Sequence, residues 1–179
     1  MEKMSFDGTR KILPKYIDDS VISVMLENAK KDRYRNYILI MVMVRTGMRI
    51  SEIVKLKKRD INDNAILVRL GKGKKDRMIP LEKELSGILG LFADRLKPSS
   101  YLFPLTERQV RNVVYKYAPD GYKIHPHTLR HSFAVHCLKN GMNLRNLQKI
   151  LGHNNLTTTQ VYLDVTGLDI KDDFNKVKW

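Results

Sequence analysis

Every histidine of the chain falls between His125 and His153, with Arg130 among them and Tyr162 nine residues beyond the last. An imidazole donates or moves a proton near neutral pH. A guanidinium forks onto the paired oxygens of a phosphate, and a phenol becomes a nucleophile once a base or a nearby cation draws off its proton. Arg49 adds a second guanidinium, three residues before the acid Glu52. Together these types suit metal-free chemistry at an anionic, oxygen-rich centre. A zinc site is the rival: His127 and His131 are spaced i, i+4, but no acid lies between them as in H-E-x-x-H, and a third ligand is not evident.

Elements must hold these groups. Pro126 fits the first turn of a helix, where its missing N–H costs nothing. His127 and Arg130, i and i+3, share one face of that helix, and Leu129, Phe133, Ala134, Cys137 and Leu138 form its buried side. A second short helix is expected over Asn143 to Leu151, with Leu144, Leu147, Ile150 and Leu151 inward and Gly152 ending it. His153 then sits just past a helix end. Thr157, Thr158 and Thr159 can cap a further helix carrying Tyr162.

Upstream, a first helix begins near Lys15, with Ile17, Val21, Val24 and Met25 on one face. A second spans Arg33 to Thr46, and its apolar run Tyr37 to Val44 marks it as buried. Gly47 permits a tight turn, which presents Arg49 at the start of a short helix, Ser51 to Leu56. Asp60 to Leu70 reads as one or two strands broken at Asn62-Asp63-Asn64. A turn with Lys72, Lys74 and Lys75 follows, and Arg77 to Leu81 returns as a strand. Two amphipathic helices come next, Glu82 to Leu96 and Thr106 to Tyr117, the latter with Gln109 at the capping-box position. The fold class is α+β, mainly helical, with a small antiparallel three-stranded sheet on one side.

Lys plus Arg number 33 against 19 Asp plus Glu, a formal charge of +14, which favours a polyanionic partner. Lys74, Lys75, Arg77, Arg108 and Arg111 are the candidate contacts to nucleic acid, with Lys116 on the same basic helix. Cys137 is the only cysteine, so neither an intrachain disulfide nor a thiolate metal cluster can form. With no signal segment and no long apolar run, the expectation is a soluble, cytoplasmic, nucleoid-associated protein without a membrane partner. Residues 1–14 read as a flexible lead and 15–179 as one domain.

The blocks Thr46-Gly47-Met48-Arg49-Ile50-Ser51-Glu52, Gly71-Lys72-Gly73-Lys74-Lys75-Asp76-Arg77, His127-x-x-Arg130, Leu151-Gly152-His153 and Thr158-Thr159-Gln160-Val161-Tyr162 resemble, in order, the signature of the tyrosine recombinases, the phage integrase and Xer-like group. The resemblance implies a helical catalytic domain that cuts and rejoins DNA through a 3′-phosphotyrosine, with no cofactor and no metal. It implies Tyr162 as nucleophile, Arg49, Arg130 and His153 as phosphate donors, His127 as general acid or base, and a hairpin lysine as the acid for the leaving oxygen. Lys72, between two glycines, matches that lysine best; Glu52 supports Arg49. Related readings are a type IB topoisomerase and a DNA-binding regulator on the same scaffold. The group usually carries an N-terminal core-binding domain, for which this chain leaves at most the short lead before Lys15. Double-stranded DNA is the expected partner, with assembly of copies on DNA through the tail 168–179.

Overall fold

A computed structural model describes residues 16–69 and 76–152. The expectations for Lys72, Lys74, Lys75, His153, Tyr162, the lead 1–14 and the tail 168–179 lie outside these residues.

The chain is organised around α2 (Tyr34–Thr46), whose residues Ile38 to Val44 are all buried. A helix apolar on every side must be covered on every side. Helix α1 (Asp19–Asp32) packs on one flank and α6 (Pro126–Lys139) on another. The stripe of α1 that meets the core is Val21, Met25 and Ala29, spaced i, i+4, i+8, whereas Val24 is exposed, a correction to the expected face. Asn36, a polar residue in this apolar setting, is satisfied: its Nδ2 donates to the Tyr117 hydroxyl at 2.9 Å and its Oδ1 accepts from Arg35. The same hydroxyl and the Lys116 ammonium both donate to Asp32, tying α5 (Glu107–Tyr117) to α1 and α2.

Helix α3 (Ile50–Ile53) is shorter than expected. By Leu56 the backbone has left the helix to accept from the Leu102 N–H at 2.8 Å, and Lys57 forms a β-bridge with Tyr101. After a 3-10 turn, Lys58–Asp60, strands β1 (Ala65–Val68) and β2 (Arg77–Pro80) pair antiparallel, with Ala65 opposite Pro80 and Val68 opposite Arg77.

Among the described residues the sheet has two strands, not three. Ile61 reaches β1 only through one bridge, to Ile66. Next to it the Asn62 side chain accepts the N–H groups of Asn64 and Ala65, at 3.0 and 2.7 Å, which closes the turn expected at Asn62-Asp63-Asn64 and leaves too short a segment before it for a third strand. Helix α4 (Lys83–Ala93) follows. Thr106 caps α5, and the Gln109 side chain accepts its N–H at 2.8 Å, as the Thr-x-x-Gln spacing predicts.

Helix α7 (Leu144–Leu151) is capped by the Asn143 side chain and ends at Gly152, φ 65°. Leu147 and Leu151 pack with Phe133, Ala134, Cys137 and Leu138 into a second apolar cluster between α6 and α7. Leu144 and Ile150, expected inward, are half-buried at its edge. No described helix is long and apolar enough to cross a membrane.

Candidate active site

Gly47 ends α2 with φ 60°, a conformation glycine takes without steric cost. A Cβ there would stand 2.4 Å from Phe133 Cδ1, so the turn lies directly against α6. Two residues on, Arg49 is fixed through its backbone, its N–H donating to Glu52 Oε2 at 2.8 Å. From α6, Arg130 reaches the same turn. It is 4% exposed, and it donates from Nη1 to the Gly47 carbonyl and from Nη2 to the Leu151 carbonyl, the latter at 2.7 Å.

The C-terminus of α7 is where these elements meet. Its last carbonyls have no partners inside the helix and carry the negative end of the helix dipole. Arg77 Nε donates to Ile150 O at 2.6 Å. Arg130 and Arg49 both donate to Leu151 O, and Arg49 Nη2 reaches Gly152 O at 3.4 Å. Three guanidiniums from three distant segments therefore clamp three successive carbonyls, immediately before His153 in the sequence.

Glu52 is the counter-charge, and its arrangement differs from the simple Arg49–Glu52 pair. Arg77 takes both of its oxygens, Nη1 to Oε1 and Nη2 to Oε2, each at 2.8 Å, while Arg49 Nη1 makes one contact at 3.3 Å. Burial raises the Glu52 pKa, but the bonds and charge of Arg77, with the backbone N–H and charge of Arg49, outweigh it and hold the carboxyl below its ordinary range.

Arg77 was expected among the DNA-contacting cations. The structure turns it inward instead: its side chain is 8% exposed and its three nitrogens are bonded to Glu52 and Ile150. Strand register is the reason, because Arg77 opens β2 beside α7.

Arg49, His127 and Arg130 line one cleft of about 220 Å³, together with Met48, Ile50, Arg111, Tyr115, His125 and Pro126. Arg111 thus joins the site; its ion pair to Glu107, 3.5 Å and half-exposed, restrains it little. Arg108 is exposed on α5 but does not line the cleft, and Lys116 is occupied with Asp32. His127 is exposed, its ring 6.5 Å from that of His131. The His131 pKa is lowered by burial and then by the charges of His127 and Arg130.

Sequence reasoning missed Tyr115 and His125 at the cleft wall. Their rings meet edge to face at 5.4 Å, and His125 Nδ1 lies 3.2 Å from the Tyr115 hydroxyl. The available signal was the i, i+4 spacing of Arg111 and Tyr115 on one helix face. Among the described residues no group of three or more His, Cys, Asp or Glu gathers where it could hold a metal ion.

Residues 15–167 match the phage integrase family. The chain is 37% identical over 175 residues to the tyrosine recombinase XerA of Pyrococcus furiosus, an alignment that covers 90% of this chain and 61% of that protein. The chain therefore spans less than two thirds of that curated relative. In structure it is similar to crystalline XerA recombinase, with TM-score 0.76 and 30% identity over 93% of this chain and 67% of that one. It is also similar to the XerH site-specific recombinase bound to palindromic difH in a post-cleavage complex, with TM-score 0.68 and 26% identity over 92% and 53%.

Proposed function

Because the chain belongs to the phage integrase family, we propose that it acts as the catalytic domain of a site-specific DNA recombinase, cutting and rejoining strands through a covalent 3′-phosphotyrosine. The observation that carries this reading is the single cleft shared by Arg49, Arg130 and His127. Two guanidiniums and an imidazole around one space can hold the non-bridging oxygens of a phosphodiester and stabilise the added charge of its pentavalent transition state.

In this reading Tyr162 attacks phosphorus, and His127 takes or returns the phenol proton. The bond to the 5′-oxygen breaks as Lys72 protonates it, and His153 donates to the phosphate. Phosphorus exchanges one ester for another, so a later attack by a strand's 5′-hydroxyl reseals the DNA without an energy source. A phenol ionises near pH 10 in water, and cations around it favour the phenolate. Lys74, Lys75, Arg108 and Arg111 would track the flanking phosphates, making binding strongly salt-dependent. Such an enzyme works at the nucleoid, and the tail 168–179 is the segment proposed to join copies on DNA.

The test is a nicked suicide substrate that traps the covalent step. Wild-type chain should become attached to the 3′ end of the cut strand and Tyr162→Phe should not; equal labelling of both removes Tyr162 as nucleophile.

A further inference from the structure

Arg77 is committed to the site's frame through Glu52 and Ile150, yet it does not line the cleft. We propose that Arg77 is a positioning residue: by neutralising Glu52 through both oxygens it leaves the Arg49 guanidinium held only by long contacts, and so available to a phosphate, and by binding Ile150 it sets the end of α7 against strand β2. This rests on the recombinase reading for its substrate, though its geometry stands by itself.

A carboxylate satisfies one guanidinium best when both oxygens are engaged in parallel. Arg77 makes that bidentate pair with Glu52, at 2.8 Å twice, so the Arg49 guanidinium keeps only contacts of 3.3 to 3.4 Å and its side chain remains 36% exposed. Were Glu52 to lose Arg77, the nearest remaining cation would be Arg49, and the buried acid would draw it away from the cleft. The second part of the role is mechanical. Arg77 also lies against Gly152, where an added Cβ would come within 3.0 to 3.1 Å of its Cδ, Nε and Nη1. Residues 70–75, with the candidate lysines, lead directly into the β2 strand that Arg77 opens. One side chain thus joins the strand after the lysines, the acid beside Arg49 and the carbonyls before His153.

The experiment compares Arg77→Gln, Arg77→Lys and the double variant Glu52→Gln/Arg77→Gln with wild type in single-turnover cleavage, DNA affinity and thermal unfolding. Arg77→Gln should lose about ten- to a hundredfold in cleavage rate, the scale seen when a partner that orients a functional group is removed, with Kd for DNA unchanged within about twofold. Arg77→Lys, which keeps the charge but not the fork, should fall between. The double variant should cleave faster than Arg77→Gln, because no buried charge remains to capture Arg49; a residue that served only folding would show no such recovery.

Wild-type cleavage by Arg77→Gln, a loss confined to Kd, or a double variant no better than the single one would each overturn the proposal. If Arg77→Gln does not fold, Arg77→Lys and the double variant carry the same comparison. A wild-type chain that never labels DNA counts against the recombinase reading alone. Arg77 is then judged by inorganic pyrophosphate titrated against the 31P signal: wild type should bind it, Arg77→Gln and Arg49→Gln more weakly, and equal binding by Arg77→Gln ends the inference.

Discussion

Arg49 and Arg130 donate to one and the same acceptor, the carbonyl oxygen of Leu151, at 3.3 and 2.7 Å. Two like charges on one oxygen repel, and the arrangement holds because the α7 terminus and Glu52 supply negative potential beside them. In the recombinase reading proposed above, a phosphate entering the cleft would lower that repulsion.

Arg130 serves the frame as well as the cleft. Arg130→Lys keeps the charge but cannot bridge the Gly47 and Leu151 carbonyls. Cleavage should fall by about 10²–10³, and the melting temperature should fall with it because a buried carbonyl loses its partner. A variant that melts lower but cleaves normally would remove Arg130 from the chemistry.

Glycines at two places should respond in opposite directions. Gly47→Ala meets both a positive φ and a Cβ 2.4 Å from Phe133, so it should destabilise strongly. Gly90→Ala, on the exposed side of α4 with nothing within 4 Å, should stabilise by about 0.5–1 kcal/mol. Urea midpoints of the two variants check both signs.

Glu52 should appear in the acid stability of the protein. Its folded pKa is depressed below the ordinary 4.5, so the stability it contributes is fully present above that value and is lost as pH falls through the lower folded pKa. Glu52→Gln, which leaves Arg77 without its counter-charge, should be less stable at neutral pH and converge on wild type in acid. Parallel urea curves for the two proteins across the acid range would contradict the assignment.

Cys137 packs in the cluster between α6 and α7, and burial pushes its thiol up to about 11. Little thiolate exists at neutral pH, so a thiol reagent should label native protein slowly and unfolded protein promptly. Fast labelling of the native chain would mean that α6 and α7 part readily.

Local rules were enough to mark most of the elements. The Thr106 cap with Gln109, the stops at Gly47 and Gly152, and the apolar faces of α2 and α6 follow from residue type and spacing within one or two turns, where dihedral preference and side-chain periodicity act. The same rules read Val24 as core and Asp60 to Leu70 as sheet. Which face of α1 is covered depends on how α2 and α5 pack; the expected turn at Asn62-Asp63-Asn64 forms, but before it Ile61 makes only one bridge to β1 rather than a third strand. Arg49, His127 and Arg130 stood out as candidates by residue type and by the order of the motif blocks, because a phosphate needs forked cations and a proton carrier wherever they stand in the chain; the fold brings the three to one cleft. What the tertiary structure alone decided is who pairs with whom. An arginine after a lysine-rich turn looks alike in sequence whether it faces solvent or a buried acid. Only the packing of β2 against α7 brought Arg77 within reach of Glu52 on α3, because a charge chooses its partner by distance and burial, and neither is written in sequence spacing.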